Sequence, residues 1–363
     1  MTNIKIGMKS TKKQADIVTY YSVETYAVFV NIDKSILGTN SFLEKFGYSF
    51  IRFDLFELEK KFSDLFSLPK KFQSEIQLLL DDSNLSISKE FYQAVTNNGL
   101  FGHELLIDQE VFFLKHNTDF DQEVINNTVN SGDSMKVTGE LQRFVADFIQ
   151  QFRLFKNGNI ACPIQFQINK DNRKVTSKLS GRNGKTYGLT KYNLSQNEIK
   201  VLADSFNTGF KTNTLTELAV SNFNLSYEIF DPKTRYVTLM TCLESLFNQG
   251  RDQITHTVSR HLALIISNSE NEFQVNYYRI KKLYRLRSAI VHGNSTKENL
   301  STATDELQRK VRQAINYCLR LNDNKKQLFD KLNSMGFGKN DETKLMMKRR
   351  ATANTQYKKL GRK

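Results

Sequence analysis

Three prolines, three cysteines and five histidines are all that 363 residues contain of those types, and each scarcity removes a class of protein. Cys162, Cys242 and Cys318 are odd in number and far apart, so they form neither a disulfide framework nor a zinc-ligand spacing, and are expected to be small buried residues. The histidines are equally dispersed, with no His-x3-His or His-Cys pairing, which argues against a metal site. No Gly-rich phosphate loop and no paired acidic motif is present, so nucleotide transfer or small-nucleotide sensing ranks low. No apolar stretch approaches the roughly 20 residues needed to cross a bilayer. The N-terminal Met-Thr-Asn-Ile-Lys-Ile-Gly has no signal-peptide hydrophobic region. The expectation is a cytoplasmic protein without membrane association. Few prolines suit long unbroken helices, and no repeat recurs at solenoid periods.

Positive charge, by contrast, is plentiful: 52 Lys and Arg against 38 Asp and Glu give a net charge of +14. Lys344 to Lys363 holds eight basic residues and no acid, so over half of the excess lies in the last stretch of chain. Lys348, Arg349, Arg350, Lys358 and Lys359 are its candidate nucleic-acid contacts. A sparse basic tail attracts any polyanion through counterion release and confers affinity rather than sequence choice. A solvated terminus without a dedicated partner is the competing reading.

Along the chain, mixed structure precedes helices. Ile17–Tyr21 and Tyr26–Val30 are β-prone. Residues 53–66 and 71–80 have helical spacing, Gln109 to Leu114 reads as a strand, and Asn117 to Met135 as a polar loop. Lys136 to Phe155 is helical through Leu141, Phe144, Phe148, Phe152 and Phe155, an aromatic stripe expected to be packing. Residues 160–168, 174–179 and 185–192 suggest a β-meander with a hairpin turn at Gly181-Arg182-Asn183-Gly184. Ser195 with Glu198 makes a capping box, followed by expected helices at 213–225, 231–249, 253–267, 271–292 and 302–335. The class is α+β: an N-terminal mixed domain over 1–195, a helical domain over 196–340, and the basic tail 341–363.

One segment concentrates chemistry: Leu283-Tyr-Arg-Leu-Arg-Ser-Ala-Ile-Val-His292-Gly293. Phe273, Tyr277, Ile280, Tyr284, Arg287 and Val291 are spaced by three and four, so Arg287 interrupts an apolar stripe. A guanidinium there requires an ion pair or a bound anion. His292 follows five residues later, about 140° further around an ideal helix, where Gly293 and Asn294 end the helix. RNA carries its own nucleophile, the 2′-hydroxyl, so cleavage needs only proton transfer and charge neutralisation. Imidazole supplies the first near neutral pH; a guanidinium fork matches two phosphate oxygens and stabilises the charge of the transition state. The bland alternative is that Arg287 pairs with a helix-borne glutamate and His292 caps a terminus. Arg251 and His256 share the five-residue spacing but follow Gly250 at an inter-helix break. Arg260 and His261 are adjacent, point to different faces, and are expected at a surface.

Arg287 and His292, in this helical context, resemble the Arg-x4-6-His signature of HEPN domains. The upstream Asp231-Pro232-Lys233-Thr234-Arg235, the helix Tyr236 to Phe247 with Cys-Leu-Glu-Ser-Leu-Phe, and Thr257 to Ile265 are similar to the Apea-like branch of that superfamily. The resemblance spans about residues 196 to 335 and leaves the N-terminal half unassigned, a candidate sensor or substrate-selecting domain. It implies a metal-independent endoribonuclease without a cofactor, with Arg287 and His292 catalytic. Glu244, Arg285, Ser288 and Asn294 are supporting candidates, Glu244 chiefly as a salt bridge between helices. Ser288 stands where many such nucleases carry Asn, Asp or His after the arginine. The resemblance further implies a homodimer forming one composite cleft, with RNA as substrate, a possible regulatory protein partner, and a toxin or phage-defence role. A catalytically silent module that binds RNA or a protein is the alternative.

Overall fold

The computed structural model describes residues 18–54 and 110–335, except 126–127, 130, 159, 172–174, 181–191, 209–211, 230, 249, 251–252, 296–297 and 322–323. The chain divides into two compact units, Met1–Phe210 and Lys211–Lys363. The first joins a sheet to helices and the second is helical, so the class is α+β.

The first unit is organised by β1 (Val18–Val30), which merges the two β-prone segments of the sequence into one strand of 13 residues. β2 (Tyr48–Asp54) pairs with β3 (Glu110–His116), which pairs with the C-terminal part of β1. β4 (Phe120–Ile125) continues along the same edge of β1, with a register step between the two. β5 (Thr128–Val129) pairs with β4, while β6 (Ala161–Asn169) takes the other edge of β1 and carries β7 (Val175–Ser180). All these ladders are antiparallel. The expected polar loop over 117–135 is thus corrected: β4 and β5 lie inside it, and helix α1 (Ser131–Phe155) starts before its end. The open edge of β1 beyond β3 offers unpaired backbone groups, and β4 satisfies them despite its polar composition.

Strand alternation sends Ala27, Phe29, Phe50, Phe112 and Leu114 into the core shared with α1. The aromatic stripe of α1 meets them there: Phe148 lies 5.4 Å from Phe29 and 4.1 Å from Phe152. Each such ring contributes about 2–3 kcal/mol by leaving water. The opposite face is also buried, with Tyr26 stacked on Phe166 at 5.4 Å and Phe113 edge-on to Phe166 at 5.7 Å. Helix α2 (Gln196–Thr208) opens with the expected capping box: Glu198 accepts from the Ser195 amide at 2.8 Å, and Ser195 accepts from the Glu198 amide at 3.3 Å. Its Ile199, Leu202 and Phe206 belong to the first core, with Phe206 5.8 Å from Phe148. The boundary between units therefore falls after α2, rather than before it as sequence suggested.

Phe53 and Asp54, expected to begin a helix, lie in β2; residues 55–66, and 71–80, fall outside the described residues. So do the turn at 181–184 and nearly all of the third meander strand, of which Tyr192 forms a parallel bridge to Ile32.

The second unit comprises α3 (Glu217–Ser226), α4 (Pro232–Phe247), α5 (Ile254–Ile266), α6 (Glu270–Val291), α7 (Leu300–Leu321) and α8 (Lys325–Ser334). Asp231 caps α4 by accepting from the Thr234 amide at 2.7 Å, and Pro232 takes the first turn, where its missing N–H costs nothing. α4 is the central element, touching α3, α5, α6 and α7. Its Tyr236, Leu239, Met240, Leu243 and Phe247 are fully buried. Tyr236 Oη donates to the Leu283 carbonyl at 2.8 Å, fixing α4 against α6. The single helix expected over 302–335 is two helices, with Asn324 and Gln327 forming a capping box at the start of α8. No helix among the described residues is long and apolar enough to cross a membrane.

Candidate active site on the motif helix

α6 carries the candidate residues, and both of its ends are fixed by the local sequence. At the start, Ser269 accepts from the Glu272 amide at 3.2 Å, while the Glu272 carboxylate accepts from the Asn268 amide at 2.8 Å. At the end, His292 is the C-cap and Gly293 adopts φ 71°, a left-handed conformation suited to glycine. The Gly293 amide donates to the Ile290 carbonyl at 3.2 Å and the Asn294 amide to the Ala289 carbonyl at 2.8 Å, a Schellman closure. His292 is thereby held at a defined helix terminus. Its imidazole is exposed and makes no hydrogen bond or ion pair among the described residues.

Arg287 faces inward, toward α4. Its Nη2 lies 3.6 Å from Glu244 Oε1, with the two side chains 30% and 20% exposed. Its Nε is buried and has no hydrogen-bond partner, and its guanidinium carbon sits 6.0 Å from the centre of the Tyr284 ring. Tyr284 Oη donates to the same Glu244 Oε1 at 2.5 Å. Burial, followed by that hydrogen bond, pushes the Tyr284 phenol well above its ordinary range, so it remains a donor. Arg279 on the same helix shows the contrast. It contacts Glu298 at 2.6 Å and Glu306 at 2.6 and 2.9 Å, so two carboxylates saturate it. Arg287 has one loose ion pair and retains capacity for a second anion.

Glu244, expected as a salt bridge between helices, is half-buried and does bridge α4 to Arg287. Arg285 is exposed, without an ion pair among the described residues. Ser288 is half-buried, and its carbonyl accepts from the His292 amide at 3.1 Å; Asn294 acts through its backbone in the helix stop. No direct contact joins Arg287 to His292. Tyr284 escaped the sequence reading as a site residue because it counted only as a member of the apolar stripe. Its position one turn before Arg287 was the available signal.

His256 is occupied by a 2.9 Å hydrogen bond with Tyr277 Oη, and Arg251 lies outside the described residues. The surface expected for His261 is corrected: it is 2% exposed, edge-on to Phe329 at 4.7 Å, with Nε2 3.3 Å from Asn333 Oδ1. α8 packs over α5 there, which no pattern within α5 announces. Arg260 is half-buried and donates to the Leu332 carbonyl and Asn333 Oδ1, both at 3.3 Å. Lys348, Arg349, Arg350, Lys358 and Lys359 lie outside the described residues. No group of three or more His, Cys, Asp or Glu among the described residues is arranged to hold a metal ion.

No family model matches the chain, and neither curated proteins nor solved structures give a match.

Proposed function

We propose that the helical unit is a HEPN-like module that cleaves RNA without a metal ion, with His292 moving protons and Arg287 stabilising the phosphorane. The observation that carries this reading is the contrast on α6: His292 presents an exposed, unengaged ring at a fixed helix end, and Arg287 is incompletely neutralised. His292 takes the proton of the 2′-hydroxyl, the oxygen attacks the adjacent phosphorus, and the bond to the 5′-oxygen breaks. The leaving oxygen takes a proton from water and the His292 imidazolium returns its own to solvent, giving a 2′,3′-cyclic phosphate and a 5′-hydroxyl. Five residues separate the two groups by about 7.5 Å along the axis and about 140° around it. A second copy of the chain that contributes its own Arg287 or His292 to a shared cleft resolves that separation, and the proposal therefore includes a homodimer. A cytoplasmic toxin or phage-defence effector, restrained or triggered through the N-terminal unit, is the biological role proposed.

A second reading has its own observation: Glu244 already occupies one side of Arg287, as in a structural ion pair. On that view the module binds RNA or a protein and cuts nothing. Incubating the full chain with total RNA in the presence of chelator separates the two. Cleavage leaving 2′,3′-cyclic phosphate ends, abolished in Arg287→Ala and His292→Ala, supports the nuclease. Intact RNA with the wild-type chain, with and without chelator, rejects it in favour of the silent module.

A further inference from the structure

The cations of α6 divide by the direction they face. Arg279 and Lys282 meet Glu298, at 2.6 and 2.8 Å, and Arg287 meets Glu244. Arg285 and Lys281 have no ion pair among the described residues, and Lys281 Nζ lies 5.8 Å from the centre of the Tyr277 ring. At about 100° per residue, Tyr278, Lys281, Arg285, Ser288 and His292 fall within one stripe about 80° wide, and Arg279, Lys282 and Arg287 fall outside it. Charge is therefore quenched on one side of the helix and left open along the line that leads to His292. Both acids of the helix, Glu270 and Glu272, lie in its first turn, so none of its carboxylates interrupts that line.

An aromatic ledge starts the stripe. Tyr278 is 68% exposed, and its ring is set against Tyr277 at 5.4 Å and 70°. Tyr277 is itself stacked on the buried Phe273 at 6.1 Å and hydrogen-bonded to His256. A ring held in place while left in water is a platform for a nucleobase, and only an unstacked base can lie on it. From Tyr278 to His292 the stripe runs about 21 Å, room for a few nucleotides of extended strand. A symmetric contact of a second copy centred on this stripe would set Lys281 and Arg285 against their own counterparts, with no acid to meet them.

We propose that this face of α6 is a track for single-stranded RNA. Tyr278 stacks a base, Lys281 and Arg285 take phosphates, and the strand runs toward His292. The direction of the strand rests on the nuclease reading; the binding does not.

The test measures binding of the full chain to a labelled uridine homopolymer and to a blunt RNA duplex of equal length, over a range of salt. His292→Ala is the parent throughout, so that the probe stays intact. Arg285 and Tyr278 are exposed, so their replacement leaves the fold in place. Arg285→Ala should weaken the single strand and lower the salt slope by about one. Tyr278→Ala should weaken it about tenfold with the slope unchanged. Lys326→Ala, an exposed cation on α8, serves as the control and should change neither. Duplex binding should be weaker and indifferent to Tyr278. Variants at 278 and 285 that bind like the control overturn the track, and so does loss of a dimer in sedimentation, which assigns the face to a second copy. Wild-type cleavage scored beside these measurements separates the two ideas. Stripe-dependent binding without cleavage sinks the nuclease alone, whereas cleavage with stripe-independent binding sinks the track alone.

Discussion

Tyr284 and Arg287 converge on one oxygen, Glu244 Oε1, the phenol at 2.5 Å and the guanidinium at 3.6 Å. Glu244 thus holds Arg287 loosely and is itself held tightly. Tyr284→Phe keeps the ring beneath the guanidinium and removes only the donor. It should cost about 1.5–3 kcal/mol, the usual cost of losing a hydrogen bond to a charged group. Glu244→Gln should lower stability by about 1 kcal/mol, because the pair is only partly buried. It should also tighten RNA binding, since a competing anion leaves Arg287. Chemical denaturation and RNA titration of the two variants check both expectations, and unchanged or weaker binding by Glu244→Gln counts against Arg287 as a phosphate contact.

Arg287→Ala and His292→Ala should separate in stability even if both abolish cleavage. His292 is exposed and unpartnered among the described residues, so its loss should change unfolding free energy by less than about 0.5 kcal/mol. Removing Arg287 leaves Glu244 half-buried without its cation, and should cost about 1–2 kcal/mol. Equal losses would mean that His292 is packed rather than free.

Acid should destabilise the helical unit through His261. Burial, the largest cause, pushes this imidazole down to about 4, against an ordinary 6.5. The unfolded chain binds the proton first, so stability falls as pH drops from about 6.5 to about 4 and levels off below, by up to about 3 kcal/mol. His261→Phe should flatten this part of the pH–stability curve. A wild-type curve that is flat across the window contradicts a buried neutral imidazole.

Gly293 supplies the left-handed turn that closes α6. A Cβ there meets nothing within 4 Å, so Gly293→Ala is penalised through the backbone alone, by about 1 kcal/mol. Faster amide exchange at Gly293 and Asn294 should accompany it, with reduced cleavage as the terminus bearing His292 loosens. Unaltered exchange would show that the Schellman closure does not hold this end.

The features legible in the chain were those written within a turn or two of helix. Asp231-Pro232, Ser195 with Glu198, and Gly293 act on amides three or four residues away, so type and spacing suffice. Phe144, Phe148 and Phe152 state in one stripe which face of α1 is buried. What failed shares a different property. The break before α8 falls in a segment polar enough to pass for the outer face of one long helix. β4 reads as a loop and becomes a strand because β1 outruns β3. At the candidate site, Arg287 and His292 were legible as residue types at a spacing, while Tyr284 was hidden by reading as core.

Sequence alone settled that α6 exists, where it stops, and that Arg287 and His292 leave it in different directions, because a helix converts spacing into angle without outside help. Tertiary structure alone decided that α2 serves the first core, that His261 is sealed under α8, and that Glu244 rather than another acid meets Arg287. Those outcomes depend on which surfaces of distant segments come together, and neither burial nor ion pairing is specified until the opposing side chain arrives.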